Sequence, residues 1–341
     1  MKNLRLLLLP FSLLYWFIVS IRNLFYDIAI FKSYTFNKPI IVIGNLSTGG
    51  TGKSPQTEYL IRLLNNVYRV ATLSRGYKRK SKGFVLADEK ANADILGDEP
   101  YQFYKKLQQA TIAVDADRKN GIENLLALSS KPQIILLDDA YQHRRVKAGF
   151  YILLTAYGDL YADDFVLPAG NLRESRSGAK RANIIIVTKC PSNLSLQEQE
   201  RIRKKLRLQS GQKVYFSYIA YDDKVYNTTT AVALETLRNT NKIIVAGIAK
   251  PQPFFEHVKQ DDDVCLTYPD HHYFTETELK ELETISRNKI IITTEKDYMR
   301  LAGKLPEDRL FYLPIMTTFI NEGDNFDKTI LDYVGKSTTN R

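Results

Sequence analysis

The chain has 341 residues and a net charge of +10, long enough for two domains that each bury a core. Hydrophobic content of 44% and charged content of 25% exclude a disordered chain, and its two cysteines, Cys190 and Cys265, exclude a disulfide framework and zinc-ligand spacing. The sequence shows no helix-turn-helix, zinc-finger or aromatic RNA-binding spacing, so the basic excess points to an anionic membrane or phosphorylated ligands and not to nucleic acid.

The segment from Leu6 to Ile21 is nearly all apolar, with Lys2 and Arg5 before it and Arg22 and Lys32 after it. No small-residue cleavage site follows, which argues against a signal peptide. Pro10 lies inside the run, and a full span takes about 20 apolar residues. The pattern predicts a membrane-associated helix, either a marginal span or one lying in or dipping into one leaflet, held by its aromatics and flanking cations. A buried core helix is the alternative.

Pro39 to Ile43 reads as a short buried strand, and Gln56 to Leu64 carries apolar residues at helical spacing. Between them runs Gly44-Asn45-Leu46-Ser47-Thr48-Gly49-Gly50-Thr51-Gly52-Lys53-Ser54. Strand, glycine loop, Lys-Ser and helix form the context of a phosphate-binding loop. Ser47, Thr48, Gly49, Gly50, Thr51, Gly52, Lys53 and Ser54 are the candidate nucleotide-binding residues. The glycines let backbone N–H groups face one anion at the positive end of a helix. Lys53 can reach the β- and γ-phosphates, and the Ser54 hydroxyl can ligate Mg²⁺. Ser47 stands where the usual pattern has its first glycine.

Tyr68 to Leu73 is a second strand, ending in Ser74-Arg75-Gly76-Tyr77 and a basic patch at Lys78, Arg79, Lys80 and Lys82. Open α/β sheets bind ligands at such strand ends, which makes the patch a candidate for a second anionic ligand. Gly97-Asp98-Glu99-Pro100 opens a helix through Leu107, with Asp98 the expected N-cap. Thr111 to Val114 is a strand and Gly121 to Leu128 a helix. The apolar strand from Gln133 to Leu137 ends in Asp138-Asp139, the Walker B pattern, whose carboxylates hold Mg²⁺ directly or through its water. Ile152 to Thr155 and Ile184 to Thr188 are further strands, separated by a loop containing Arg173, and Ser195 to Leu208 is a charged amphipathic helix. Val214 to Tyr218 and Thr228 to Val232 alternate like strands and read as a paired linker. A second α/β unit follows, with strands at Lys242 to Gly247, Val264 to Leu266 and Lys289 to Thr293 and no second phosphate loop. His271 and His272 fall in a loop after a strand, without an evident third zinc ligand. Thr294-Glu295-Lys296-Asp297 sits at a strand end, and the tail from Gly335 is expected to be disordered.

In this order the motifs resemble the tetraacyldisaccharide 4′-kinases, the kinases of lipid A synthesis. The resemblance rests on Gly44 to Leu46 with Gly49 to Pro55, Ser74-Arg75-Gly76-Tyr77, Gly97-Asp98-Glu99-Pro100 and Leu137-Asp138-Asp139-Ala140-Tyr141-Gln142-His143. It continues through Leu172-Arg173-Glu174, Asp270-His271 and Thr294-Glu295-Lys296-Asp297, and so covers the chain from the hydrophobic segment to the end of the second domain. A hydroxy residue at Ser47 fits it too, whereas Ala140-Tyr141 departs from the more usual Gly-Phe. The resemblance implies ATP-dependent phosphorylation of the 4′-hydroxyl of a tetraacylated glucosamine disaccharide 1-phosphate. It implies an enzyme on the cytoplasmic face of the inner membrane, held by the N-terminal helix against the anionic surface, with a monomer expected. The implied fold is α/β: a P-loop NTPase-type parallel-sheet domain and a smaller second α/β domain, joined by a two-stranded linker. The expected boundaries are 1–35 for the membrane-associated helix, 36–210 for the kinase domain, 211–236 for the linker, 237–334 for the second domain and 335–341 for the tail.

Phosphoryl transfer needs alignment and charge neutralisation more than covalent chemistry. Lys53 and the loop would hold ATP. Ser54 and Asp139 would hold Mg²⁺, with Glu99 and Asp138 as nearby carboxylates. A sugar hydroxyl needs a base, and the resemblance points to Asp98 paired with His271. Asn45, Arg75, Tyr77, His143 and Arg173 are the candidate substrate-binding residues. The competing reading is a P-loop ATPase or GTPase acting as a switch or delivery protein at the membrane surface, hydrolysing nucleotide without a lipid acceptor. The guanine-reading Asn-Lys-x-Asp motif is absent, and Thr188-Lys189-Cys190 resembles it only in part.

Overall fold

The computed structural model describes residues 5–270 and 272–339. After a single helical turn at Leu6–Leu8, the elements begin with α1 (Leu9–Asp27), β1 (Ile40–Asn45), α2 (Lys53–Asn65), β2 (Val70–Ser74), β3 (Val85–Leu86), α3 (Ala93–Leu96) and α4 (Asp98–Lys106). They continue with β4 (Thr111–Val114), α5 (Arg118–Ala127), β5 (Ile134–Asp138), β6 (Phe150–Ala156), β7 (Ile184–Thr188), α6 (Leu196–Leu206), β8 (Lys213–Tyr221), β9 (Lys224–Tyr226) and β10 (Ala231–Ala233). The remainder is β11 (Lys242–Ala246), α7 (Gln252–Val258), β12 (Val264–Thr267), α8 (Glu276–Ile285), β13 (Ile290–Thr294), α9 (Glu295–Leu301), β14 (Leu310–Leu313), β15 (Ile315–Phe319) and α10 (Gly323–Thr339). The chain divides into two compact units, Met1–Ile219 with Thr317–Arg341, and Ala220–Met316.

Among the described residues, the first sheet has nine strands in the order β15-β8-β7-β6-β1-β5-β2-β4-β3. From β8 to β4 every pairing is parallel, and β3 adds an antiparallel edge. A parallel sheet carries its crossover helices on both faces, so its strands are apolar on both sides. Successive β1 residues divide accordingly. Ile40 and Val42 pack into one core with Ile122 and Leu125 of α5 and Ile202 and Leu206 of α6. Ile41 and Ile43 pack into the other with Leu60, Ile61 and Leu64 of α2 and Phe326, Ile330 and Val334 of α10. In the second unit the sheet order is β10-β9-β14-β13-β11-β12. Its β12, β11, β13 and β14 are parallel neighbours, and β9 closes onto β14 antiparallel.

Two expectations are corrected. The segments around 214–218 and 228–232 do not pair with each other: β8 extends the large sheet beside β7, whereas β9 and β10 form a hairpin in the smaller one. The two strands in which the chain crosses the unit boundary are β8 and β15, neighbours in the sheet order although far apart in sequence. Residues 335–339 are not a loose tail but the last part of α10, which belongs to the first unit because its apolar stripe completes that unit's core. The rest of the expected tail, 340–341, lies outside the described residues.

Candidate functional site

Loop 46–52 leaves the carboxyl end of β1, a strand flanked by β5 and β6. Gly49 has φ +110° and Gly52 φ +82°, angles that strain a residue bearing a Cβ. The resulting curl presents the amino end of α2, with its unpaired N–H groups, at the loop. Ser47 needs no such freedom, because it forms an antiparallel bridge with Leu172 in extended backbone. The loop is also tied from inside. Asn45 Nδ2 donates to Thr51 Oγ1 at 2.7 Å, Thr188 Oγ1 to the Thr51 carbonyl at 2.8 Å and Lys189 Nζ to the Gly50 carbonyl at 2.5 Å.

Carboxylates gather beside it. Ser54 Oγ donates to Glu99 Oε1 at 2.7 Å. Glu99 stands in the first turn of α4, where Gly97 is the N-cap; Asp98, expected there, is instead the first helical residue and is half-buried. Asp138 closes β5 and is buried, its carboxylate accepting from Thr57 Oγ1 at 3.1 Å and Ser74 Oγ at 3.3 Å. Asp139 follows at φ +45°. Its carboxylate lies 3.8 Å from Lys53 Nζ and accepts from Arg173 Nη2 at 2.9 Å. Burial, with Glu99 and then Asp139 nearby, pushes Asp138 up to about 6. Burial also opposes the charge on Asp139, but Lys53 and Arg173 outweigh it and hold that carboxyl below its ordinary range.

The donor set is hydroxyl and carboxylate oxygen, the chemistry a hard cation such as Mg²⁺ takes. Among the described residues no three His, Cys, Asp or Glu side chains converge to hold an ion alone. That suits Mg²⁺, which is usually bound by one or two carboxylates together with phosphate oxygens and water.

A strap formed by residues 168–174 runs along the loop. Thr48 N donates to the Asn171 carbonyl and Arg173 N to the Leu46 carbonyl, both at 2.7 Å. The Arg173 guanidinium spans Asp139 and the Asn45 side chain. Gln142 Nε2 donates to the Asn45 carbonyl at 2.8 Å and to Glu174 Oε1 at 2.9 Å. Glu174 is buried and also accepts from Arg181 at 2.9 Å.

The structure therefore brings Asn45, the loop, Lys53, Ser54, Glu99, Asp138, Asp139 and Arg173 together. Arg75 and Tyr77 lie exposed on the loop after β2. His143 sits by Arg118: burial and that guanidinium lower the imidazole to about 4, and its Nε2 is buried without a hydrogen-bond partner among the described residues. It is neutral at pH 7. His271, the expected partner of Asp98, lies outside the described residues. Its neighbour His272 has a local role, pairing with Glu278 at 3.0 Å where that residue caps α8.

Sequence reasoning missed the hydrogen bonds of Thr57 and Ser74 to Asp138, the Lys189 contact with the loop, and Arg118. Arg118 is buried and donates to the carbonyls of Asp115 at 2.6 Å and Asp138 at 3.1 Å. Thr57 carried one local signal, its place three residues after Ser54 on the same helix. The others depend on strand order.

Comparison with known proteins gives one consistent family. The family model described as tetraacyldisaccharide-1-P 4′-kinase matches residues 4–335. A tetraacyldisaccharide 4′-kinase of Flavobacterium johnsoniae is 59% identical over 334 residues, covering 98% of each chain. One of Bacteroides thetaiotaomicron is 42% identical over 98% of this chain and 94% of its own. The crystal structure of an LpxK from Aquifex aeolicus in complex with ATP superposes with a TM-score of 0.78 at 31% identity, covering 97% of this chain and 99% of that one.

Proposed function

The chain belongs to the tetraacyldisaccharide-1-P 4′-kinase family, and from that premise we propose that it transfers the γ-phosphoryl group of ATP to the 4′-hydroxyl of a tetraacylated glucosamine disaccharide 1-phosphate. The observation that carries the reading is the meeting of Lys53, Ser54, Glu99, Asp138 and Asp139 at the ends of β1 and β5.

The loop amides and the amino end of α2 bind the β- and γ-phosphates, and Lys53 neutralises charge that builds as the phosphoryl group moves. Arg173 holds Asp139 in place and keeps it ionised. Ser54 and Asp139, with Glu99 and Asp138 beside them, would hold Mg²⁺, which would supply positive charge to neutralise the phosphates. Asp98, in the first turn of α4 beside Glu99, accepts the proton of the sugar hydroxyl. We assign Arg75, Tyr77 and His143 to the acceptor, with Arg75 for its 1-phosphate, because Arg75 and Tyr77 are exposed on the loop after β2.

The acceptor carries acyl chains and stays in a bilayer, so the enzyme works at the membrane. α1 supplies the contact. Leu7, Phe11, Leu13, Leu14, Phe17 and Ile18 are all exposed, and Arg5, Arg22 and Lys32 flank them. Each cation close to an anionic surface contributes about 1 kcal/mol. We place the enzyme on the cytoplasmic face of the inner membrane, where ATP is available.

The test is transfer of label from γ-labelled ATP to tetraacyldisaccharide 1-phosphate in mixed micelles, beside Lys53→Ala. Labelled lipid that disappears in the variant is the expected result. Nucleotide hydrolysis with no labelled lipid would overturn the kinase reading in favour of a switch.

A further inference from the structure

The helix α1 is inverted relative to a helix of a water-soluble domain. Its inward stripe is Ser12, Tyr15, Val19, Asn23 and Tyr26, at the three- and four-residue spacing of one helix face. Three of these make polar contacts with the rest of the unit. Ser12 Oγ, buried, accepts from Ala169 N at 2.9 Å. Tyr15 Oη donates to the Arg173 carbonyl at 2.9 Å. Asn23 Nδ2 donates to Glu174 Oε2 at 3.2 Å. At the amino end of the helix, Arg5 donates to the Pro168 carbonyl and to Asn171 Oδ1, each at 3.0 Å. All of these partners lie in the strap 168–174. That strap is also bonded to the phosphate loop, Thr48 N donating to the Asn171 carbonyl and Arg173 N to the Leu46 carbonyl. Phe11, Leu13, Leu14, Trp16, Phe17 and Ile18 of α1 face outward, and a helix whose hydrogen-bonding stripe is satisfied inward has an exterior suited to hydrocarbon. The flanking cations select an anionic lipid surface.

We propose that Tyr15, with Ser12 and Asn23, is a positioning residue that couples the seating of α1 on an anionic lipid surface to the geometry of the phosphate loop through the strap. The inference rests on the membrane reading above. Off the membrane, the rotation of α1 rests on these hydrogen bonds at the strap and, toward its carboxyl end, on Arg144, which donates to the Asn23 carbonyl at 2.7 Å and pairs with Asp27. On the membrane, burying the apolar face adds to that hold, and so steadies the strap that carries Arg173 on Asp139 and Asn45. Nucleotide then pays less ordering cost on binding, which is positive coupling between the two ligands.

The experiment uses the full chain, vesicles of mixed zwitterionic and anionic phospholipid without glycolipid, and a fluorescent non-hydrolysable ATP analogue. Vesicles are expected to tighten analogue binding about fivefold, the equivalent of one net hydrogen bond of about 1 kcal/mol. By reciprocity the analogue tightens vesicle binding by the same factor. Tyr15→Phe keeps the ring and the apolar face, so it should co-sediment with vesicles like the wild type yet lose the fivefold gain. Ser12→Ala should behave alike, and serves if Tyr15→Phe melts early. A gain retained in both variants, or vesicle binding by the wild type without any gain, overturns the coupling alone. Failure of the wild type to bind vesicles overturns the membrane reading and the coupling with it.

Discussion

Two adjacent carboxylates, Asp138 and Asp139, are driven in opposite directions. Asp138 is raised to about 6 by burial and then by Glu99 and Asp139, so its neutral form is favoured in the folded protein. Its contribution to stability is complete below the ordinary Asp range near 4 and is lost as pH rises through about 6. Asp139 is lowered by Lys53 and Arg173 against its burial, so its contribution is present above the ordinary range and lost as pH falls. Metal-free, nucleotide-free protein should therefore lose on the order of 2–3 kcal/mol from Asp138 between about pH 4 and pH 6. In Asp138→Asn that part of the pH profile should flatten in urea titrations while turnover is lost. A proton on Asp138 removes a negative charge beside the metal position, so calorimetry should show Mg²⁺–nucleotide binding weakening below about pH 6. Lys189 offers a quieter test. Its ammonium holds the Gly50 carbonyl, so Lys189→Ala should raise KM for ATP by about fivefold, one hydrogen bond's worth, with an unchanged melting temperature. An unchanged KM would remove Lys189 from the site.

The strand β1 and the turn that follows β5 meet closely because Gly44 has no side chain. A Cβ there would lie 2.7 Å from Tyr141 Cβ and 3.0 Å from its backbone N, and neither can swing aside. Gly44→Ala must separate β1 from the segment carrying Asp138 to Tyr141. We expect a loss of about 1–3 kcal/mol of stability by chemical denaturation, and a fall in kcat larger than that loss of folded protein accounts for, because Asp139 moves with its turn away from Lys53. Activity matched to the folded fraction would show the approach to be structural only.

The first unit is built from two ends of the chain, and α10 is the returning piece. Phe326, Ile330 and Val334 recur at four-residue spacing and lie fully buried against the α2 side of the sheet. Ending the chain at Glu322 removes three large apolar side chains from that core, a loss of about 5 kcal/mol or more at about 1.5–3 kcal/mol each. The second unit's cores contain no residue of α10. Hydrogen exchange on the truncated protein should speed up in β1 and β5 and stay slow in β11 and β13. Uniform loss of protection in all four strands would mean that the units do not unfold separately.

Much was legible along the chain because local patterns carry local structure. The apolar run Pro39 to Ile43 marked a short buried strand, Gly49 to Ser54 marked the anion loop, and Asp138-Asp139 after an apolar strand marked its acidic counterpart. Each signal lies within a few residues, where steric limits on φ and the two- and 3.6-residue periods act directly. The pairings that complete the site carry no such mark. β15 joins β8, α10 closes the first unit, the strap 168–174 lies on loop 46–48, and Thr57 and Ser74 converge on Asp138. These contacts span long stretches of sequence and form only when strand order brings their elements together. Burial of both faces of one sheet sets that order, and no local propensity specifies it.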